Sequence, residues 1–180
     1  TAKIALDGLA PGREYAVELA FEDDRGRRGE RQVVSFRTAS EGPEATSFVW
    51  TGDTCGQGWG INPDLGGLVG YRARHETRGP IAESVTEPDG QVWRNLVIPE
   101  VSKVAETLAE FRGRHRYTML DDNVRAMYAE VPVVAQWDDH ETTNNWWAGE
   151  VLEDERYTHE RRVDVLAARG RQAWQEYMPI

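Results

Sequence analysis

Acidic residues follow two apolar stretches of the chain, and they are the side chains best placed to do chemistry. Asp53 follows the apolar run 47–50, and the cluster Asp138–Glu141 follows the apolar run 131–137. In open α/β sheets, sites form at the carboxyl ends of strands. Two strands that deliver carboxylates to one edge can build a metal site with hard oxygen ligands. Acidic turns after strands are also common, so Asp53 taken alone fits a structural role equally well.

The second cluster is harder to explain as an ordinary turn, because it contains Asp138, Asp139, His140 and Glu141 in succession. Adjacent acids and imidazoles repel one another and desolvate badly unless a cation holds them. The cluster therefore predicts a cation site, to which the surrounding elements must bring further ligands.

Residues 1–40 predict β-structure, which we expect as three strands at 2–6, 15–21 and 32–38. The alternation in 2–6 is weak, whereas in the other two strands apolar side chains recur at every second position and share a face. The residues on these faces are Tyr15, Val17, Leu19 and Phe21 in one strand and Val34 and Phe36 in the other. Three strands with long turns would not be stable on their own.

The runs 47–50 and 131–137 are continuously apolar, which predicts buried parallel strands. Helical patterns separate the two runs, and a strand–helix–strand order implies a right-handed crossover and a parallel sheet. The fold class predicted for this part of the chain is therefore α/β.

Three helices are predicted from apolar residues at helical spacing. The first begins at Pro99 and stops at Gly113, Asp121 or Asp122 caps the second, and the third covers about 154–177. The apolar residues that set these spacings are Val101, Val104, Leu108 and Phe111; Val124, Met127 and Tyr128; and Val163, Leu166, Ala167 and Trp174.

Composition narrows the classes of partner. Lys and Arg number 21 against 31 Asp and Glu, so the formal charge is −10, which argues against a nucleic-acid backbone as the main partner. No apolar run approaches the length of a membrane span, and no signal-peptide pattern is visible. The single cysteine excludes an internal disulfide framework. The sequence does not indicate an oligomeric state.

Two motifs resemble a known family. From Gly52 to Pro63 the chain reads Gly-Asp-Thr-Cys-Gly-Gln-Gly-Trp-Gly-Ile-Asn-Pro, and from Trp137 to Trp147 it reads Trp-Asp-Asp-His-Glu-Thr-Thr-Asn-Asn-Trp-Trp. Both resemble the PhoD-like alkaline phosphatases/phosphodiesterases, which belong to the calcineurin-like metallophosphatase superfamily. The segment ahead of them resembles the last strands of a fibronectin type III-like sandwich.

The resemblance implies a fold, a reaction and a compartment. The fold would be part of a metallophosphatase-type α/β/β/α sandwich, at 41–180, preceded by the C-terminal part of a fibronectin/Ig-like β-domain, at 1–40. The reaction would be hydrolysis of phosphomonoesters or phosphodiesters with iron and calcium as cofactors. The partner would thus be a phosphate-ester substrate, and the location would be secreted or periplasmic.

The resemblance also implies roles for individual residues. Asp53 and Asp139 match metal ligands of the family, and His140 matches the histidine that steadies the transition state or donates to the leaving group. Cys55 is an alternative metal ligand, although Asp53 is favoured over it. The remaining matched residues would contact substrate or support the ligands, and they are Asp138, Glu141, Asn144 and Asn145.

The implied reaction explains these residue types. A phosphoryl transition state carries charge on its equatorial oxygens, and cations held by carboxylates can clamp it while acidifying a bound water. A nearby imidazole can donate a proton or a hydrogen bond.

Two departures from the family pattern leave an alternative open. The family's second strand ends in a Gly-Asp-x-x-Tyr-Ala-Asp motif, whereas here Arg78 runs directly into Gly79 without it. The chain also stops at Ile180, before the family's later Asp and His ligands. The alternative is therefore a catalytically inactive fragment or a degenerate phosphatase-like binding module.

Other residues with chemical potential have simpler explanations. The isolated histidines are predicted to lie at the surface or beside helices. The tryptophans are predicted to pack, with lining of the pocket as the alternative, and the basic run is predicted to form a solvated helix end, with attraction of an anionic substrate as the alternative. These residues are His75, His115 and His159; Trp59, Trp146 and Trp147; and the run Arg112–Arg116.

Overall fold

The computed structural model describes residues 2–50, 60–64 and 80–178. These residues form a mixed α/β structure with two small antiparallel sheets. The strands are β1 Glu14–Leu19, β2 Gln32–Arg37, β3 Ser84–Thr86 and β4 Val92–Arg94, and the helices are α1 Leu108–Thr118, α2 Asp122–Glu130 and α3 Val163–Tyr177. Short 3-10 helices span Pro99–Val101 and Asp139–Glu141.

The N-terminal hairpin confirms the alternation that the sequence predicts for its two stronger strands. β1 pairs with β2 in antiparallel register, with Tyr15 opposite Phe36 and Val17 opposite Val34. The Tyr15 and Phe36 rings stack with their centroids 5.8 Å apart. The weakly alternating segment 2–6 is not a strand, and a fibronectin-like sandwich is not confirmed, since the hairpin forms a two-stranded sheet within the described residues.

The prediction of buried parallel strands at 47–50 and 131–137 is wrong for this structure. Neither segment is a strand, and Phe48, Val49 and Val134 are 84%, 96% and 93% exposed. A strand requires a hydrogen-bonded partner, and both sheets in the described part of the chain are antiparallel hairpins that do not include these segments. Apolar composition alone therefore did not bury them.

The first helix begins later and ends later than its apolar spacing predicts. Thr107 and Glu110 form a capping box that starts α1 at Leu108, so the predicted start at Pro99 is only a 3-10 turn. Gly113 does not stop the helix but lies inside it, where an added Cβ would overlap the side chain of Glu100. The glycine thus serves close packing rather than termination.

The other two helices agree better with the sequence. Of the two predicted caps, Asp121 is the one that caps α2, and it accepts hydrogen bonds from the backbone N–H groups of Asn123 and Val124. α3 starts at Val163 rather than near residue 154, because the preceding residues form a loop closed by hydrogen bonds from Leu152 N to Arg161 O and from Val163 N to Glu150 O. No described helix is both long and apolar enough to cross a membrane.

The main core lies between α1 and α3. Its buried residues come from both helices and from the segments that precede them, and they are Val104, Ala105, Phe111, Tyr157, Leu166 and Ala173. Burial of such side chains contributes roughly 1.5–3 kcal/mol each, which makes this contact the principal support for the elements around it.

A buried carboxylate joins the segment before α1 to the segment before α3. The Glu106 side chain is 0% exposed and lies 2.7 Å from Lys103 Nζ. The backbone N–H groups of His159 and Glu160 donate to its Oε1 at 2.6 and 2.9 Å. Burial alone would raise the pKa of Glu106, but these contacts outweigh it and lower the pKa. Glu106 is therefore held as a carboxylate.

The same contact between helices carries further ion pairs and a buried imidazole. Arg112 donates to both carboxylate oxygens of Glu176 at 2.6 Å, linking α1 to α3. His115 stacks on Tyr177, with ring centroids 5.1 Å apart. We call the contact between α1 and α3, together with Lys103 and Glu106 before α1, the helix seam.

Candidate active site

The acidic residues at 138–141 lie in one compact turn, which spans residues 138–145 and is called here the acidic turn. Asp138 precedes the 3-10 helix Asp139–Glu141 and forms a capping box with Glu141. The backbone N–H of Asp138 donates to Glu141 Oε2 at 2.7 Å, while the Asp138 side chain accepts from the Glu141 backbone. This local chemistry folds the successive acids into a tight turn instead of an extended strand end.

The turn brings two carboxylates and the imidazole together. His140 Nδ1 lies 3.1 Å from Asp139 Oδ1 and 3.6 Å from Asp138 Oδ2. One ligand atom from each of the three residues lies within 4.8 Å of the other two. The side chains are graded in exposure, from 13% for His140 through 27% for Asp139 to 51% for Asp138. His140 therefore lies on the buried side of the cluster, and Asp138 lies on its solvent-exposed side.

The donor set of this cluster fits a divalent or ferric cation. Metal bonds to carboxylate oxygen and imidazole nitrogen are about 2.0–2.6 Å long, so ligands of one ion lie within roughly 4–5 Å of each other. The three side chains meet that spacing. The two carboxylates supply oxygen donors, which suit hard ions, and the imidazole either adds a nitrogen donor that suits first-row metals or, with Nδ1 on Asp139, acts as a proton donor beside the ion.

Asp139 is held by backbone donors from the residues that follow it. The N–H groups of Thr142 and Thr143 both donate to its carbonyl oxygen, at 2.8 and 2.9 Å. The N–H of Asn145 donates to its Oδ2. Asn145 has a φ of 53°, and it is the non-glycine residue with positive φ among those the structure describes. The remaining carboxylate oxygen, Oδ1, faces His140.

Helix α3 supports the acidic turn from the inside. At Gly170 an added Cβ would lie 2.7 Å from the Glu141 carbonyl oxygen, so only glycine allows this close approach. Trp137, just before the turn, meets Trp174 edge-to-face with ring centroids 5.7 Å apart. Through these contacts, helix α3 fixes the position of the acidic turn relative to the helix seam.

The end of the turn is also tied to the core. Thr142 and Thr143 are only 1% and 9% exposed, so both are buried. Tyr157 of the core is 1% exposed, and burial raises the pKa of its hydroxyl. The threonines thus anchor the turn while the acids stay near the surface.

The predicted site residues do not all fall in the described structure. Asp138, Asp139, His140 and Glu141 are brought together, and Asn144 and Asn145 follow as exposed residues of the same turn. Asp53, Cys55, Trp59 and His75, and the junction of Arg78 with Gly79, lie outside the described residues.

Two of the simpler interpretations are corrected by the structure. His115 is not a surface residue: it is 4% exposed, and burial lowers its pKa to about 4. Arg114, predicted to belong to a solvated helix end, is 3% exposed and donates to the carbonyl of Lys103. Both lie on the inner face of α1, which the sequence expectation of a helix ending at Gly113 did not include.

Other predictions about single residues are confirmed or refined. His159 is exposed, as predicted. Trp146 is partly buried, whereas Trp147 is 63% exposed and so does not pack as expected.

The sequence interpretation missed the residues that position the turn. Thr142 and Thr143 gave no signal, because their burial depends on contacts between distant segments. Gly170 did give one, since a glycine inside an otherwise helical pattern usually has a packing reason.

Comparison with known proteins identifies related sequences. The profile of a family described as PhoD-like phosphatase matches residues 73–180, which include the whole acidic turn and α3. A stretch of 74 residues is 35% identical to alkaline phosphatase D of Bacillus subtilis (strain 168). That stretch covers 41% of this chain and 12% of the relative, so the chain corresponds to a small part of it. No solved structure gives a significant match.

Proposed function

The chain belongs to the PhoD-like phosphatase family, and from that premise we propose that it is a metal-dependent phosphoric ester hydrolase, or a part of one, acting on phosphomonoesters or phosphodiesters. The observation that carries the proposal is the cluster of Asp138, Asp139 and His140, whose ligand atoms lie within 4.8 Å of one another inside the matched region. Membership of the family supports phosphoester hydrolysis, and the cluster supports dependence on a metal.

In this proposal Asp139 and Asp138 hold the cation, and Asp53 joins them as a ligand from the preceding motif. Cys55 is the alternative ligand at that position. Iron and calcium are the proposed metals, on the strength of the family resemblance. When bound, such a cation would supply positive charge to the phosphate oxygens and acidify a water molecule.

His140 acts on the leaving group in this proposal. Its Nδ1 lies 3.1 Å from Asp139 Oδ1, so an N–H at Nδ1 donates to the carboxylate and fixes the ring orientation. That leaves Nε2 for the substrate. The proton on Nε2 would pass to the ester oxygen as the bond between that oxygen and phosphorus breaks, while the attacking water bonds to phosphorus through its oxygen and gives up a proton to solvent. Asp139 thereby serves both the cation and the orientation of the acid.

The surrounding residues have supporting roles. Glu141 is committed to the backbone N–H of Asp138, so it holds a ligand and does not contact the substrate. Asn144 is exposed beside the acids, and its amide is proposed to contact the phosphate. We also propose the division into a β-domain at 1–40 and a catalytic part at 41–180, and a location outside the cytoplasm, both from the family resemblance.

Metal analysis with a matched variant tests the proposal. The 180-residue chain, purified without chelator, is expected to bind iron or calcium stoichiometrically, and Asp139→Asn to bind at least 100-fold more weakly, whereas the exposed Asp7→Asn should match the parent. Hydrolysis of p-nitrophenyl phosphate and bis-p-nitrophenyl phosphate, with calcium and iron added, then reports the ester class. Absence of stoichiometric metal, or equal metal content in Asp139→Asn, would overturn the proposal and favour a degenerate phosphatase-like module.

A further inference from the structure

We propose that Asn145 is a positioning residue that acts through its backbone and not through its amide side chain. This inference rests on the proposed metal-dependent function. Its basis is the coincidence of two features at one residue, namely a left-handed backbone conformation and a hydrogen bond from that backbone to a candidate metal ligand.

The hydrogen bond selects which oxygen of Asp139 is available. Asn145 N–H occupies Oδ2, and Oδ1 is then the oxygen that faces His140 Nδ1 at 3.1 Å. If this N–H moved away, the carboxylate would rotate more freely about its own bond. The Asp139 carbonyl would still be held by Thr142 and Thr143, so the main chain of the turn would remain in place.

The left-handed conformation lets the chain continue past Asn145 while its N–H stays on Asp139. The residues before Asn145 direct this N–H to Asp139 Oδ2, and the φ of 53° sets the direction of the chain that follows, so a residue that resists this φ would pull the N–H away from the carboxylate. Glycine adopts this conformation freely, and asparagine tolerates it better than most residues. For a residue with an ordinary Cβ it is disfavoured, and most strongly for a β-branched one.

Asn145 differs from Asn144 in its backbone, although the two are neighbours of the same type in sequence. Asn144 has no positive φ and lies exposed in the same turn. A side-chain role would make amide chemistry the property that matters at either position. A backbone role makes conformational tolerance the property that matters at Asn145 alone.

Substitutions that vary backbone preference without restoring an amide test the inference. In the full chain, Mn²⁺ and Ca²⁺ affinities would be measured by titration calorimetry for Asn145→Gly, Asn145→Ala and Asn145→Val. The glycine variant should bind about tenfold more tightly than the valine variant, with alanine between them, since the left-handed conformation costs residues with a Cβ about that factor. The same substitutions at Asn144 should show no preference for glycine over valine.

The outcomes distinguish this inference from the proposed function. If the parent chain binds neither metal and also carries no iron after purification, the proposed function fails. If the parent binds metal but Asn145→Gly and Asn145→Val bind equally, the positioning role fails while the metal site stands. Weak binding in every variant that lacks the amide, glycine included, would show a side-chain role and overturn the inference. Far-UV circular dichroism checks folding, and the alanine variant keeps the comparison usable if valine unfolds the chain.

Discussion

The helix seam and the acidic turn both concentrate carboxylates, but they use them in opposite ways. In the seam, Glu106 is fully buried, and a lysine and two backbone N–H groups occupy its oxygens. In the acidic turn, Asp138 and Asp139 face one imidazole and remain 51% and 27% exposed. A buried carboxylate surrounded by hydrogen-bond donors stabilises a fold, whereas carboxylates that lie close together near the surface are accessible to a ligand.

The two regions should also differ in which property a substitution changes. The seam should respond in stability and the turn in ligand binding. Variants that move the wrong quantity would break this division, and those that move both would show where the two regions are connected.

The largest effect is expected at Glu106. Glu106→Ala would leave the N–H groups of His159 and Glu160 without their acceptor, while Lys103 would keep Glu110 as its partner, so the free energy of unfolding should fall by about 3–5 kcal/mol. Glu106→Gln keeps an oxygen acceptor, so its free energy of unfolding should lie between those of the parent and Glu106→Ala. Urea denaturation measures the loss, with the exposed Glu155→Ala as the control. A loss under 1 kcal/mol for Glu106→Ala would contradict the structural role.

The next effect is the acid sensitivity of the seam. Burial lowers the pKa of His115 from 6.5 to about 4, so below pH 6.5 the unfolded chain takes up a proton that the folded chain does not. Stability from this group is therefore fully present above pH 6.5 and decreases by up to about 3 kcal/mol as the pH falls to about 4. Urea denaturation over this range should show a shallower decrease for His115→Phe, while the exposed His159→Gln should follow the parent. Parallel pH profiles for His115→Phe and the parent would refute the assignment.

A smaller effect tests the connection between the regions. Gly170→Ala places a Cβ 2.7 Å from the Glu141 carbonyl oxygen, and such overpacking costs about 1–3 kcal/mol. Because that carbonyl belongs to the acidic turn, metal affinity should also fall about tenfold. Gly113→Ala is the matched control, since its Cβ would meet Glu100, away from the turn. Calorimetric titration should show weaker metal binding for Gly170→Ala alone. Equal affinities for the two variants would contradict the support of the acidic turn by α3.

The smallest stability effect is expected at Asp139. Without metal, Asp139→Asn removes one of two neighbouring negative charges and keeps an oxygen that can accept from Asn145 N–H, so unfolding free energy should change by less than about 1 kcal/mol. This result, measured in chelator by urea denaturation, contrasts with the large loss at Glu106. A loss as large as that of Glu106→Ala would mean that the acidic turn is structural.

Local signals predicted local structure well. The alternation of Tyr15 and Val17 gave β1, and Asp121 was identified as a helix cap, because each depends on neighbours in sequence. The crowded acids at 138–141 likewise pointed to the residues that the fold brings together. Properties encoded within a few residues could thus be predicted from the sequence.

What depends on distant contacts could not be predicted. The run 131–137 has the composition of a buried strand, but pairing needs a partner that the pattern does not specify. Glu106 and His115 looked like ordinary polar residues, since their burial arises only when α1 meets α3. The role of Asn145 depends on one dihedral angle, which a pair of asparagines in sequence does not reveal.

The edge-to-face indoles of Trp137 and Trp174 also allow the junction between the seam and the turn to be followed by spectroscopy. Neighbouring indoles at such an angle couple their electronic transitions, and the coupling depends steeply on separation and orientation. Near-ultraviolet circular dichroism should therefore carry a signature that disappears when the turn leaves α3, even if both remain folded. The molecule thus holds an intrinsic optical probe of its own site geometry, which needs no added label.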